Sequence, residues 1–196
     1  GMGAYSPAPV VDDKLFKEII KKIIEPAVKG MKKRGTPHKG VLYAGVMITK
    51  DGPSLLEFNV RFGDPETQAI VPRMDFDLLE LIEASIKGSI KMANLKWSQK
   101  ACVCVVMASG GYPGKYEKHT EIKNIEKASK LKDVLIFHAG TKLNSKLVTD
   151  GGRVLNVVGL GENIKDAVDK AYSGCELIDF AKKHYRKDIG YRALAR

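Results

Sequence analysis

Long hydrophobic runs are missing from this sequence of 196 residues. The longest apolar stretches, Gly40–Thr49 and Ala101–Ala108, have the length of β-strands, whereas a membrane-spanning helix needs roughly 18 to 20 apolar residues. The first residues, Gly1–Pro9, also lack the basic and apolar regions of a secretory signal peptide. These absences predict a cytoplasmic protein that does not span a membrane.

Cysteine is scarce as well, with three residues in the whole chain. Cys102 and Cys104 alternate within one predicted strand, and Cys175 lies alone on a predicted helix. No CxxC pair or nearby histidine cluster accompanies them, so neither a disulfide framework nor a cysteine metal site is expected. The pattern predicts reduced cysteines that serve as small hydrophobic core residues.

Positive charge is abundant, and the formal net charge is +10. Such a charge suits either a nucleic-acid partner or a small phosphorylated substrate. The basic residues are spread over helices and loops, and no nucleic-acid-binding motif accompanies them. A basic nucleic-acid-binding domain and a noncatalytic interaction domain therefore remain as alternatives to an enzyme.

The first part of the chain, residues 1–90, is predicted to begin with a loop over residues 1–9. A helix follows from Asp12, and Pro26 is expected to kink or break it. Pro26 also suits the first position of a second helix. Strands over 41–49 and 54–60 flank the turn residues Asp51 and Gly52, which predicts a β-hairpin. A helix is predicted from Asp77 to Met92.

A linker is predicted over residues 91–100, followed by a second domain over 101–196. This domain is predicted to contain strands at 101–108 and 134–138, and a hairpin whose arms, 146–149 and 153–159, flank Asp150. A long final helix follows, with an apolar stripe from Ile164 to Ile178. Its start carries Glu162 and Asp166, and its end carries Lys182, Lys183 and His184. The predicted class is α+β, with an antiparallel sheet in the first domain and a small mixed sheet in the second.

Three polar residues alternate along the second arm of the first hairpin: Glu57, Asn59 and Arg61. Alternation places them on one face of the strand, with Leu56, Phe58 and Val60 filling the other. A carboxylate and an amide oxygen suit Mg²⁺, which is held by one or two protein groups together with substrate phosphates, and an arginine suits the phosphoryl group. Spacing alone leaves a second interpretation open, because polar alternation is also common on half-exposed hairpins.

Two segments identify a resemblance to a known family: 40–47 (GVLYAGVM) and 56–68 (LEFNVRFGDPETQ). The second contains the octapeptide Arg61–Gln68. Both resemble the phosphoribosylamine–glycine ligase (glycinamide ribonucleotide synthetase) family of the ATP-grasp superfamily. Further segments resemble the family in the same order along the chain: 1–9, 106–114, 138–141, 151–155 and 185–192.

The resemblance implies an ATP-dependent ligase of purine biosynthesis, which phosphorylates glycine to glycyl phosphate and transfers the glycyl group to 5-phosphoribosylamine. It implies that Glu57 and Asn59 bind Mg²⁺ or Mn²⁺, and that Arg61 lies beside the acyl phosphate. It also implies that Gly63 and Asp64 lie near glycine.

A similarity to other ATP-grasp enzymes of purine synthesis suggests that Lys146 and Arg153 hold the substrate's 5-phosphate. They are expected on the two arms of the late hairpin, although two exposed cations beside a turn would look the same. The resemblance covers only the C-terminal half of the family's length. It therefore implies that the other half carries much of the ATP site and that this chain alone is inactive.

Overall fold

The computed structural model describes residues 1–91 and 95–195, which form an α+β fold, as predicted. The strands in this part of the chain are β1 (Gly3–Ser6), β2 (Tyr43–Thr49), β3 (Gly52–Asn59), β4 (Ala101–Ala108), β5 (Val134–His138), β6 (Thr141–Leu143), β7 (Leu147–Thr149) and β8 (Arg153–Gly161). The α-helices are α1 (Asp13–Ile19), α2 (Glu25–Lys33), α3 (Glu66–Ile70), α4 (Leu78–Lys87), α5 (Ile125–Ala128), α6 (Ile164–Leu177) and α7 (Tyr191–Leu194). A π turn (Ile20–Ile24) joins α1 to α2, and a 3-10 turn (Val71–Arg73) follows α3. Within the described residues, no helix is long and apolar enough to cross a membrane.

The chain divides into two compact units that are not continuous in sequence. The sheet unit consists of Gly1–Pro7, Asp64–Arg73 and Ser98–Arg196, and the hairpin unit consists of Ala8–Gly63 and Met74–Trp97. The predicted division differs: it has domains over 1–90 and 101–196 joined by a linker over 91–100, because local patterns show no partner for the first residues or for the segment after Gly63. In the structure both segments pack on the sheet of the second part.

The core of the sheet unit is an antiparallel sheet of order β1-β4-β8-β5, with β4 completely buried. Helix α6 packs on one face through Ala167, Ala171 and Cys175. Gly159 allows this close approach, since a Cβ there would lie 2.2 Å from the carbonyl oxygen of Ala167. Ala69 of α3 covers the other face. The three strand pairs that build this sheet in the described residues are antiparallel, so the prediction of a mixed sheet is wrong.

The predicted loop over residues 1–9 contains strand β1, which pairs with β4 at the edge of the sheet. Local sequence patterns do not indicate this strand, because its small residues have little β propensity. They are needed for packing, since a Cβ on Gly3 would lie 2.6 Å from a side-chain carbon of Ile189. Tertiary packing, rather than local preference, therefore decides this segment.

The predicted late hairpin is also wrong. Strand β7 pairs with β6, whereas β8 pairs with β4 and β5. Asp150, Gly151 and Gly152 therefore do not form a hairpin turn. The backbone N–H of Asp150 instead donates to the carbonyl of Gly140 at 2.7 Å. These three residues carry the chain from the small β6–β7 sheet into the main sheet.

Two helices end earlier than predicted. Helix α4 ends at Lys87, where Gly88 adopts a left-handed conformation (φ 69°), a common helix terminator; Met92 lies outside the described residues. Helix α6 ends at Leu177, so Lys182, Lys183 and His184 lie beyond it. The side chain of Lys183 still reaches back to the helix end and donates to the carbonyl of Ile178 at 2.6 Å.

The hairpin unit contains the predicted helix and β-hairpin. Asp12 caps α1 by accepting the backbone N–H of Leu15 at 2.7 Å. Pro26 lies in the first turn of α2, as predicted, and the change of helix occurs through the π turn before it. The first turn of a helix suits a proline, because the N–H that proline lacks has no intrahelical partner there. Strands β2 and β3 pair from Tyr43 and Asn59 down to the turn.

Candidate active site

The predicted polar row forms one connected group in the hairpin unit. Asn59 donates from Nδ2 to Oε1 of Glu57 at 2.9 Å, and Arg61 approaches Oδ1 of Asn59 with Nη2 at 3.4 Å. Strand β3 ends at Asn59, so Arg61 lies two residues beyond it. Its Nη1 also donates to the carbonyl of Phe62 at 3.0 Å. The structure therefore brings together the three side chains that the sequence analysis places on one face.

A β-bulge and a glycine lie beside Glu57. The pairing of β2 and β3 shifts between Gly45 and Val46, which leaves Leu56 as the extra residue. Gly45 lies opposite Glu57, and a Cβ there would lie 3.3 Å from Cγ of Glu57. Bulges often re-aim a side chain next to an active site. Gly45 is not among the predicted site residues, although a glycine inside a strand pattern is a signal for such close approach.

The opposite face of β3 is apolar and exposed. Leu56, Phe58 and Val60 are 65%, 37% and 72% exposed, respectively. These side chains are predicted to fill the apolar face of the strand, but within the described residues they are not buried. This face is therefore available for packing against a further layer of protein.

The oxygen donors of the row suit a hard divalent cation. Glu57 offers a carboxylate and Asn59 an amide oxygen, and Glu57 is exposed. No cluster of three or more His, Cys, Asp or Glu side chains that could hold a metal occurs in the described residues. Two protein ligands are sufficient for Mg²⁺ when substrate phosphates supply the others. The residues present thus fit a metal that is shared with a nucleotide, not a metal enclosed by protein.

The octapeptide 61–68 is divided between the two units. Arg61, Phe62 and Gly63 belong to the hairpin unit, and the residues from Asp64 onward belong to the sheet unit. In the sheet unit, Arg153 donates to the carboxylate of Asp64 at 3.0 Å and to its carbonyl at 2.9 Å. Two residues that the sequence analysis assigns to different substrates, Asp64 and Arg153, are therefore direct partners.

Lys146 has a different environment. It lies in the turn between β6 and β7 and forms an ion pair with Glu121 at 3.0 Å. Because Lys146 and Arg153 are not on two arms of one hairpin, the geometric basis for treating them as a pair is lost. The Lys146 side chain is 64% exposed, whereas that of Arg153 is 25% exposed.

The three cysteines are free and buried in the sheet unit, as predicted. Burial raises the pKa of Cys102 and of Cys175 to about 12, and it raises the pKa of Cys104 as well. The nucleophilic and metal-binding form of cysteine is the thiolate. These thiols therefore stay protonated at neutral pH and serve as core side chains.

Two protein-family models match consecutive parts of the chain. The model for the phosphoribosylglycinamide synthetase ATP-grasp (A) domain matches residues 1–67, and the model for the C domain of the same enzyme matches residues 102–192. The chain belongs to the phosphoribosylglycinamide synthetase family. The resemblance seen in the sequence is confirmed, and the ATP-grasp match contains the row formed by Glu57, Asn59 and Arg61.

Similar proteins agree with this assignment. The phosphoribosylamine–glycine ligase of Caldanaerobacter subterraneus is 50% identical over 190 residues, which cover 96% of this chain and 45% of that protein. A chicken trifunctional purine biosynthetic protein is 49% identical over 197 residues, 20% of its length. The crystal structure of phosphoribosylamine–glycine ligase from Thermotoga maritima matches with a TM-score of 0.82 and 36% identity, over 96% of this chain and 46% of that one. This chain thus spans less than half the length of these relatives.

Proposed function

We propose that this chain forms part of a phosphoribosylamine–glycine ligase, in which it supplies the metal-binding strand and the C-terminal domain. The enzyme would join glycine to 5-phosphoribosylamine with ATP as the energy source. The observation that carries the proposal is the hydrogen-bonded row of Glu57, Asn59 and Arg61 within the region that matches the family's ATP-grasp domain. The buried, unpaired cysteines favour a cytoplasmic location for this enzyme.

The proposed reaction has two steps. The glycine carboxylate attacks the γ-phosphorus of ATP, which forms glycyl phosphate and releases ADP. The amine of 5-phosphoribosylamine then attacks the acyl carbon, forms the amide bond of glycinamide ribonucleotide, and expels inorganic phosphate. The attacking amine loses a proton in this step, so one proton is released for each amide formed.

The polar row would serve the first step. Glu57 and Asn59 would hold Mg²⁺ or Mn²⁺, which supplies charge neutralisation for the ATP phosphates when it is bound. Their mutual hydrogen bond uses Nδ2 of Asn59, so the amide oxygen of Asn59 and the carboxylate of Glu57 would both be available to hold the ion. Arg61 would donate to the transferred phosphoryl group, where negative charge develops.

The remaining substrate contacts are proposals from the resemblance. Gly63 and Asp64 would lie near glycine, and Lys146 would lie near the 5-phosphate of phosphoribosylamine, a contact that the resemblance implies for Arg153 as well. Lys146 is exposed enough to leave Glu121 for a phosphate. The hydrogen bonds of Arg153 favour a different role, which is developed below.

The test is an assay of the chain with and without a preceding half. A chimera would carry the first part of the Caldanaerobacter relative joined to this chain at the matched position, with the unmodified relative as the positive control. We expect the chimera to release phosphate in a manner that depends on ATP, glycine and phosphoribosylamine, and the 196-residue chain alone to release none. A folded chimera without this activity would contradict the proposal, and salt-sensitive binding to arbitrary DNA would then favour the nucleic-acid alternative.

A further inference from the structure

The guanidinium of Arg153 holds two segments that are far apart in sequence. Its Nη1 donates to the carbonyl oxygens of Gly1 at 3.1 Å and of Asp64 at 2.9 Å. Its Nη2 donates to Oδ2 of Asp64 at 3.0 Å. Three hydrogen bonds from one planar, charged group fix both the main chain and the side chain of Asp64. A lysine, with a single nitrogen on a flexible stem, does not reproduce this arrangement.

The backbone that presents Arg153 is itself packed tightly. A Cβ on Gly140 would lie 2.6 Å from Cα of Gly151, and a Cβ on Gly152 would lie 2.3 Å from the ring of Tyr112. The carbonyl of Arg153 accepts the N–H of Gly140 at 2.9 Å. The pairing of β4 with β8 also shifts at Met107 and Ala108, opposite the start of β8. A bulge beside closely packed glycines gives the Arg153 side chain a defined direction.

The partner, Asp64, is fixed on its other side but remains accessible. Pro65 is completely buried, which anchors the main chain directly after Asp64. The Asp64 side chain is 45% exposed, whereas that of Arg153 is 25% exposed. The Asp64 carboxylate is thus the more accessible member of the pair, and the Arg153 side chain is the more buried one. This is the arrangement of a binding group and its support.

We propose that Arg153 is a positioning residue that holds Asp64 where the carboxylate can bind the ammonium group of the amino-acid substrate. Its role is to orient Asp64 and not to bind the substrate's phosphate. This inference rests on the proposed ligase function, because it names the group that receives glycine. A displacement of about 1 Å in a binding group can lower a rate by about 100-fold.

The experiment is a double-mutant cycle in the full-length chimera with Arg153→Ala, Asp64→Asn and the double variant. We expect each single substitution to lower kcat/KM for glycine by about 100-fold, and the double variant to lose no more than the worse single variant, because residues that act as a unit are not additive. Arg153→Lys keeps the charge and should recover only part of the loss. Arg186→Ala, which breaks an exposed pair with Asp188, is the matched control and should leave kcat/KM unchanged.

A second readout separates positioning from phosphate binding. Ribose 5-phosphate serves as an inhibitor that carries the phosphate but not the amine. The inhibition constant of ribose 5-phosphate should stay the same in Arg153→Ala if the arginine positions Asp64. A constant raised tenfold or more, or losses that simply add in the double variant, would overturn the inference. An inactive wild-type chimera would instead contradict the proposed function.

Discussion

The two units of the molecule differ sharply in the burial of their apolar side chains. In the sheet unit, β4 is completely buried and α6 closes one face of the sheet. In the described part of the hairpin unit, Ile23 is the only buried residue. Large exposed apolar side chains there include Phe16, Leu56, Val60, Leu79 and Ile86. A sheet unit with its own core is expected to fold by itself, whereas exposed apolar patches of this kind mark contact surfaces.

The site follows the same division. Glu57, Asn59 and Arg61 lie in the hairpin unit, on the strand whose other face is uncovered. Asp64 and Arg153 lie in the sheet unit and are joined by hydrogen bonds from the guanidinium. Since the curated relatives are more than twice as long, we expect their additional part to cover the hairpin unit. The polar row of Glu57, Asn59 and Arg61 would then acquire rigid surroundings only in a longer chain.

The largest expected effect is on the free energy of unfolding, when one leucine in each unit is replaced by alanine. Leu155 is completely buried in the sheet unit, and Leu56 is 65% exposed in the hairpin unit. Leu155→Ala should lower the free energy of unfolding of the 196-residue chain by about 2 to 5 kcal/mol, because it leaves a cavity in the core. Leu56→Ala should change this free energy by less than about 0.5 kcal/mol. Urea unfolding measures both, and equal losses would show that the hairpin unit buries Leu56 after all.

Glycine substitutions should have opposite signs in the two units. A Cβ on Gly159 would lie 2.2 Å from a backbone oxygen of α6, so Gly159→Ala should destabilise the sheet unit by about 1 to 3 kcal/mol or more. Gly30 lies within α2 with no atom near its missing Cβ. Gly30→Ala should therefore stabilise α2 by up to about 1 kcal/mol. Thermal unfolding gives both signs, and a stabilising Gly159→Ala would show that α6 does not pack as described.

The loss of stability at acidic pH should depend on a carboxyl group of the sheet unit. Hydrogen bonds from Lys100 at 2.9 Å and Lys170 at 3.2 Å lower the pKa of Asp133. Because the folded pKa lies below the unfolded value of about 3.9, this contribution is present above that pH and is lost as the pH falls through the folded pKa. The free energy of unfolding should thus rise with pH in the acid range.

Substitution of Asp133 provides the comparison. Asp133→Asn should flatten the rise in unfolding free energy below about pH 4, the range in which the unfolded carboxyl group is protonated. Glu18→Gln breaks an exposed pair with Lys22 in the hairpin unit and should have little effect at any pH. Urea unfolding at several pH values is the measurement. An unchanged slope in Asp133→Asn would contradict the assigned cause.

The smallest expected signal is thiol labelling. Cys102, Cys104 and Cys175 all lie in the sheet unit, so their labelling reports on that unit alone. At pH 8 we expect almost no reaction with a thiol reagent in the folded chain, since burial keeps the thiols protonated and covered. Rapid labelling without denaturant would show that the sheet unit opens readily in the absence of additional protein.

The regular parts of the fold could be predicted from local patterns. The β-hairpin, strands β4 and β5, and helix α6 follow from the alternation and the helical periodicity of their residues. Strand β1 and the pairing of β7 could not be predicted, because both depend on contacts between distant segments. A glycine-rich turn gives no sign of whether it closes a hairpin or, as at Gly151, carries the chain between sheets.

For the candidate site, strand alternation was sufficient to bring Glu57 and Asn59 together. Asp64 and Arg153 are 89 positions apart in sequence, and no local pattern around either residue indicates that they are partners. The predicted placement of Lys146 and Arg153 on two arms of one hairpin is wrong, because β7 pairs with β6 and not with β8. Local geometry is thus accessible from the sequence, but tertiary ion pairs are not.

The most direct test of the central claim measures the metal itself. Binding of Mn²⁺ to the full-length chimera with a nonhydrolysable ATP analogue can be followed by electron paramagnetic resonance for wild type, Glu57→Gln and Glu83→Gln. Glu83 lies in the same unit and pairs with Lys87, so it serves as a matched carboxylate. The account predicts that Glu57→Gln weakens Mn²⁺ binding at least tenfold and that Glu83→Gln leaves it unchanged. Equal Mn²⁺ affinity in wild type and Glu57→Gln would contradict it.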